Sequence, residues 1–185
     1  MGKLKLGDRY FSTYIGSSDI DKAVGRIASD IDRDYASSGS LLFIGVLNGA
    51  YMFAADLVRK VTVPCDITFI KVSSYEGLAS RGNVTMKLPL NCDIEGRDVI
   101  IIDEIVETGL TVDYLFDYLA PMKPRSIAVA TLLFKEKMYK GIHTIKYLGI
   151  TMKENLFVVG YGLDYNEKGR TLEDIYILNE DHELQ

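Results

Sequence analysis

The chain has few of the residues that staple or break small folds. Of its 185 residues only 2 are cysteine, 2 are histidine and 4 are proline. The two thiols, Cys65 and Cys92, make at most one bridge and form no CxxC pair or Cys/His metal spacing, which excludes a disulfide framework and a zinc module. Such usage suits a reduced compartment, and a cytoplasmic location is expected. No run of 18 apolar residues occurs, and the N-terminal MGKLKLGDRYFSTYIG has no apolar stretch of signal-peptide length, so no membrane association is expected. Nor is there an excess of basic residues. The 21 Lys+Arg stand against 26 Asp+Glu, a net charge of −5, which argues against a non-specific binder of nucleic acid or of a membrane surface. What is present is 48% hydrophobic and 25% charged residues. This is the make-up of one compact domain, able to bury roughly 70% of its unfolded surface in a single core.

Along the chain, strand-like and helix-like stretches alternate. Ile20, Val24, Ile27 and Ile31 recur at helical spacing over 18–35, and Ser18 with Asp21 resembles a capping box. After the SSGS breaker at 37–40, LLFIGVL (41–47) is a continuous apolar run that predicts a buried strand. Asn48-Gly49 turns the chain into a helical AYMFAADLVRK, and DITFIKV (66–72) is rich in β-branched and aromatic residues. SSYEGLASRGN (73–83) is polar, contains two glycines and has no periodicity, which predicts a loop, with VTMKLPL returning from it as a strand. A wholly apolar VIII then meets a group of acids, a TGLT turn and a helical pattern ending before Pro121, and SIAVATLLF (126–134) repeats the buried-strand signature. Buried strands alternating with helices imply right-handed parallel βαβ units, with helices on both faces of a mostly parallel sheet.

In an open α/β sheet, ligands bind beyond the carboxyl ends of the strands, where strand-to-helix loops display unpaired backbone N–H groups. DEIVETGLT (103–111) lies at such a junction: Asp103 and Glu104 end a strand, Glu107 occupies the loop, and Thr108, Gly109, Leu110 and Thr111 open the helix. Backbone donors and two threonine hydroxyls suit a phosphate, and Gly109 permits close backbone approach. Three acids beside an anion site are reconciled by sugar hydroxyls that need acceptors, or by a cation bridging acid and phosphate. The GxxxxGK[ST] and GxGxxG phosphate loops are both absent.

VIIIDEIVETGLT resembles the phosphoribosyl-diphosphate (PRPP) signature of the type I phosphoribosyltransferases. With LNGAYMFAADL (47–57), VSSYEG (72–77), TLLFK and FVVGYGLDYNEKGR (157–170) in the same order, the chain is similar over about residues 10 to 180 to the hypoxanthine-guanine phosphoribosyltransferases. The resemblance implies an α/β type I phosphoribosyltransferase fold in one domain over 1–185. Its core would span about 35–150, its hood would come from the terminal segments, and a mobile lid loop would cover about 73–84. It implies Mg²⁺-dependent transfer of ribose 5-phosphate from PRPP to a 6-oxopurine, releasing pyrophosphate, by a homodimer or homotetramer.

The implied roles fall on particular positions. Asp103 and Glu104 would hold the ribose hydroxyls and Mg²⁺, and Glu107 to Thr111 the 5′-phosphate. Leu47, Asn48, Gly49 and Arg170 would bind pyrophosphate, and Asp164 a second Mg²⁺ through water. Lys135 would donate to the purine oxygen, Phe157 would stack on the ring, and backbone near Val158 and Asp164 would read its far edge. Ser74 and Tyr75 would belong to the lid, which excludes water from an oxocarbenium-like centre. By pattern alone Lys135 reads as a snorkelling surface residue and Phe157 as core.

Three features depart from the family pattern: Glu107 stands where Asp is usual as the base, the acid pair reads Asp-Glu rather than the commoner Glu-Asp, and Asn48 stands where many members have Lys or Arg, so that loop lacks its cation. These are expected to change rate or affinity. The alternatives are a regulatory protein of the same fold that binds PRPP or a nucleotide without turnover, and an enzyme preferring xanthine. Cys65, Cys92, His143 and His182 carry no assigned role.

Overall fold

The computed structural model describes residues 3–77 and 80–179, with side chains throughout except at 74–83. The element order is β1 (Leu4–Leu6), β2 (Arg9–Ile15), α1 (Ser17–Asp34), β3 (Leu41–Leu47), α2 (Tyr51–Lys60), β4 (Cys65–Gly77) and β5 (Ser80–Leu88). There follow β6 (Asp98–Val106), α3 (Leu110–Leu119), a 3₁₀ turn (Ala120–Met122), β7 (Ser126–Lys135), β8 (Tyr147–Met152), β9 (Val158–Val159) and β10 (Ile175–Leu178).

The main sheet has the order β5-β4-β3-β6-β7-β8 and is parallel throughout except for the antiparallel β4–β5 pair. Its central strands are apolar on both faces because both are covered. Leu41 and Phe43 of β3, with Ile100 and Ile102 of β6, pack beneath α1 and α2. Leu42, Ile44 and Val46, with Val99 and Ile101, point to the opposite face and meet Val112, Leu115 and Leu119 of α3. The strand period of two thus sorts one apolar run into two cores. A second, antiparallel sheet, β1-β2-β10-β9, joins the two ends of the chain. Among the described residues no helix is long and apolar enough to cross a membrane.

Two local expectations are corrected. Helix α1 is capped at Gly16 without a side-chain cap bond, so Ser18 and Asp21 form no capping box. The first-turn donor of Ser17 instead goes to Asp174 Oδ1 at 2.7 Å, a partner supplied from across the fold. The segment expected as a loop over 73–83 is built largely from β4 and β5, which pair from Lys71 opposite Leu88 to Gly77 opposite Ser80, with register shifts that accommodate its glycine and polar residues. The side chains of Ser74 and Tyr75 lie outside the described residues.

At the amino ends of the parallel strands, Asp98 is buried and ties three elements together. It accepts from Arg125 Nε at 2.9 Å, from Ser126 Oγ at 2.7 Å and from Ser38 Oγ at 2.7 Å, and it forms a close ion pair with Arg125 Nη2. The Arg125 guanidinium holds its carboxyl well below the usual carboxylate range, outweighing the opposing effect of burial. Because the folded value is depressed, this contribution is present above the unfolded value of about 4 and is lost as pH falls below it. At pH 7, Asp98→Asn is expected to destabilise the fold by about 1.5–3 kcal/mol, the scale of a charged hydrogen bond. The difference from the parent protein should shrink on acidification below about pH 4, as followed by thermal unfolding at a series of pH values. A difference independent of pH contradicts the account.

Candidate active site

The carboxyl ends of β3 and β6 open into a cavity of about 630 Å³. Leu47, Asn48, Gly49, Asp103, Glu104, Asp164 and Arg170 line it together with the whole stretch Glu107–Thr111. Residues from three separated stretches of sequence, 47–49, 103–111 and 164–170, therefore share one space. Strand β6 runs on to Val106, so Asp103 and Glu104, expected to end the strand, stand inside it. Asp103 is buried and Glu104 half-buried. Burial raises the pKa of both, and the neighbouring Glu104 charge raises that of Asp103 further. Both carboxyls therefore hold their protons more readily than exposed ones do, and both line the cavity.

The loops around this centre are packed against one another. A Cβ on Gly49 would come within 1.6 Å of Glu104 Oε1, and one on Gly162 within 1.9 Å of the Gly49 carbonyl oxygen, so both backbones approach closer than any side chain allows. Arg170 is held from the same region: its Nη1 donates to Gly162 O at 2.8 Å, and its Nη2 pairs with Asp164 at 2.8 Å and Glu167 at 3.2 Å. Its Nε is buried with no hydrogen-bond partner among the described residues. The other Asp164 oxygen accepts the Glu167 N–H at 2.8 Å.

Gly109, at φ 91°, turns the chain into α3. A second segment braces this turn: Lys140 N–H donates to Thr108 O at 3.0 Å, Ile142 N–H to Asp113 Oδ1 at 3.1 Å, and His143 Nδ1 lies 2.9 Å from the same oxygen. His143 also stacks on Phe116, with ring centroids 3.8 Å apart. The histidine that carried no role in the sequence reading is thus a strut of the TGLT turn; His182 lies outside the described residues.

Lys135, at the end of β7, is only 5% exposed, which overturns its reading as a surface residue. It forms a close ion pair with Glu107 and donates to Asn155 Oδ1 at 3.1 Å. Phe157 is 48% exposed and meets Tyr165 edge-on at 6.1 Å, so it is not core, and Val158 is buried in the antiparallel sheet. Lys135, Phe157 and Val158 do not line the cavity itself; Lys135 reaches it through Glu107. Sequence reasoning missed Lys71, which lines the cavity and donates from Nζ to Asn48 Oδ1 at 3.1 Å. It also missed Asn155.

Residues 16–166 match the model of the phosphoribosyl transferase domain. The chain belongs to the phosphoribosyl transferase family. It is 35% identical over 163 residues to the hypoxanthine-guanine phosphoribosyltransferase of Aquifex aeolicus, covering 88% of this chain and 91% of that one. It is 39% identical over 174 residues to the enzyme of the same name from Mycobacterium bovis, covering 91% and 86%. Its fold superposes on a crystal structure of a hypoxanthine phosphoribosyltransferase from Staphylococcus aureus with a TM-score of 0.85 at 35% identity, over 91% of each chain.

In this chain a mostly parallel sheet displays the cavity at its carboxyl edge. The site includes no group of three or more His, Cys, Asp or Glu side chains set to hold a metal ion among the described residues. The Asp103–Glu104 pair does fit a hard divalent cation that takes its remaining ligands from substrate oxygens and water, since two adjacent, partly desolvated carboxylates lack a cation of their own.

If the 139–143 segment braces the TGLT turn, Asp113→Ala should free Ile142 N–H and His143 together. Amide exchange measured by mass spectrometry is expected to speed up by tenfold or more at 108–113 and 140–143 while β3 and β6 stay protected, about 1.4 kcal/mol of local stability. Unchanged exchange at the turn contradicts the brace.

Proposed function

We propose that this chain is a purine-salvage enzyme that transfers ribose 5-phosphate from PRPP to hypoxanthine or guanine. The observation that carries the reading is the meeting, in one cavity, of the braced TGLT turn, the buried Asp103–Glu104 pair and the Leu47–Gly49 loop with Arg170. An anion site, an acceptor site for hydroxyls and a second anion site are what a sugar bearing phosphate at one end and pyrophosphate at the other requires.

In this reading the backbone N–H groups of 107–111, at the N-terminus of α3, take the 5′-phosphate, and the Thr108 and Thr111 hydroxyls add donors. Asp103 and Glu104 accept from the ribose hydroxyls. These two residues, and Asp164 through water, are the ones that hold Mg²⁺. When bound, the ion neutralises charge on the departing pyrophosphate. The Leu47–Gly49 amides and Arg170 bind that same leaving group. As the bond from C1′ to the pyrophosphate oxygen breaks and the bond from C1′ to the purine nitrogen forms, Glu107 takes the proton leaving the purine imidazole. Lys135, tied to Glu107, donates to the 6-oxo group. An ammonium is donor only, so it favours a carbonyl and disfavours the 6-amino group of adenine. Phe157, exposed beside this region, stacks on the base, and backbone near Val158 and Asp164 reads its other edge. The β4–β5 hairpin, with Ser74 and Tyr75, is the lid over 73–84, and the antiparallel sheet is the hood of a single domain. A cytoplasmic homodimer or homotetramer is part of the same proposal.

With PRPP and Mg²⁺ supplied, pyrophosphate release is expected with hypoxanthine or guanine and not with adenine. Turnover on adenine, or none on any oxopurine, contradicts the reading. Arg170→Ala should lower kcat/KM by about 10²–10³, the scale for removing one preorganised donor to developing charge, with circular dichroism unchanged.

A further inference from the structure

Lys71 enters the cavity from a strand, not from the loop beside which it acts. β3 and β4 pair in parallel with Leu47 opposite Lys71, so the lysine stands beside the carboxyl end of β3 where the Leu47–Gly49 loop begins. There its ammonium donates to the neutral amide oxygen of Asn48 at 3.1 Å. Among the described residues no carboxylate lies within ion-pairing distance of it, although Asp103, Glu104, Glu107, Asp164 and Glu167 all line the same cavity. The other basic lining residue among those described, Arg170, is already paired with Asp164 and Glu167. An ammonium has three donors and Asn48 takes one. An amide oxygen orients a cation without neutralising it, which leaves the full positive charge for a ligand.

We propose that Lys71 is a pyrophosphate-binding residue of this protein, with Asn48 serving to position its ammonium beside the Leu47–Gly49 loop. The positive charge of that subsite is thereby delivered from the neighbouring strand. The inference rests on the reading of the site as a PRPP site and adds to it a residue and a division of labour: Lys71 carries the charge, Asn48 aims it, and the loop amides complete the contacts.

The test is isothermal titration of magnesium pyrophosphate, and separately of inosine 5′-monophosphate, which has no pyrophosphate, into the full-length protein and its variants. Lys71→Met is expected to weaken pyrophosphate about ten- to a hundredfold, the scale of a charge-assisted hydrogen bond, and to leave the monophosphate within about twofold. Lys71→Arg should keep most of the pyrophosphate affinity. Asn48→Lys added to Lys71→Met should recover it, because a cation then projects from the loop itself. Unchanged pyrophosphate binding by a folded Lys71→Met variant overturns the proposal, as does equal weakening of both ligands, which marks a merely structural lysine. A parent protein that turns over an oxopurine while Lys71→Met binds pyrophosphate normally overturns this assignment alone. A parent protein that binds neither ligand overturns the underlying reading with it.

Discussion

Everything at the site is arranged around one unfavourable placement: two adjacent acids, Asp103 and Glu104, near the carboxyl end of a strand whose preceding residues, Val99 to Ile102, are all apolar. Val99 to Ile102 bury themselves on both faces of the sheet, and the chain cannot carry that strand forward without drawing the acids in after it. Burial disfavours the charged forms of both, and the Glu104 charge further disfavours that of Asp103. Arg170 favours ionisation of Glu104, but its guanidinium is shared with Asp164 and Glu167. In the proposed reading, the hydroxyls and cation of a bound substrate would supply what the fold leaves out. Stability is given up where binding needs it.

The remaining contacts keep that placement from relaxing. Gly49 lies against Glu104 and Gly162 against Gly49, so the loop after β3, the acid pair and the segment before Arg170 form one stack in which a single methyl has no room. On the other side the TGLT turn is bonded through Thr108 and Asp113 to the segment 140–143. The bonding groups sit on loops, but the positions of those loops are set by β3, β6 and β7, which pair in parallel from Leu41 opposite Asp98 to Gly45 opposite Ile102 and from Asp98 opposite Ser126 to Val106 opposite Phe134. This is the general solution for a site that must be both open and exact to a fraction of an ångström.

Much of this was legible in the sequence where a segment's own pattern decides its structure. LLFIGVL is a strand over the range expected, and SIAVATLLF differs from the observed strand only by Lys135, because continuous apolar runs have one stable use in a two-faced sheet. DEIVETGLT was readable as a strand-to-helix junction for the same reason. What escaped depends on partners distant in sequence. The donor of Ser17 is satisfied by Asp174, so the local capping signal misled. The polar, glycine-containing 73–83 stretch pairs as a hairpin because β4 is anchored on β3, which no periodicity within the stretch reports. Lys71 in FIKV reads as an ordinary exposed strand residue. Only the parallel register brings it to Asn48, and so the cation absent from the loop sequence is present in the loop's surroundings. Lys135 and Glu107, likewise, meet only across β6 and β7.

The central claim is that the acid pair is retained for binding at a cost to the fold. The most direct measurement compares the parent protein with the double variant Asp103→Asn, Glu104→Gln, which keeps shape and removes charge, by thermal unfolding without ligand and by titration with PRPP in the presence of Mg²⁺. The account predicts a higher Tm, by about 2–4 °C for each kcal/mol of relieved repulsion in a chain of this size, together with loss of most PRPP affinity. A variant that melts lower, or that binds PRPP as tightly as the parent, contradicts it.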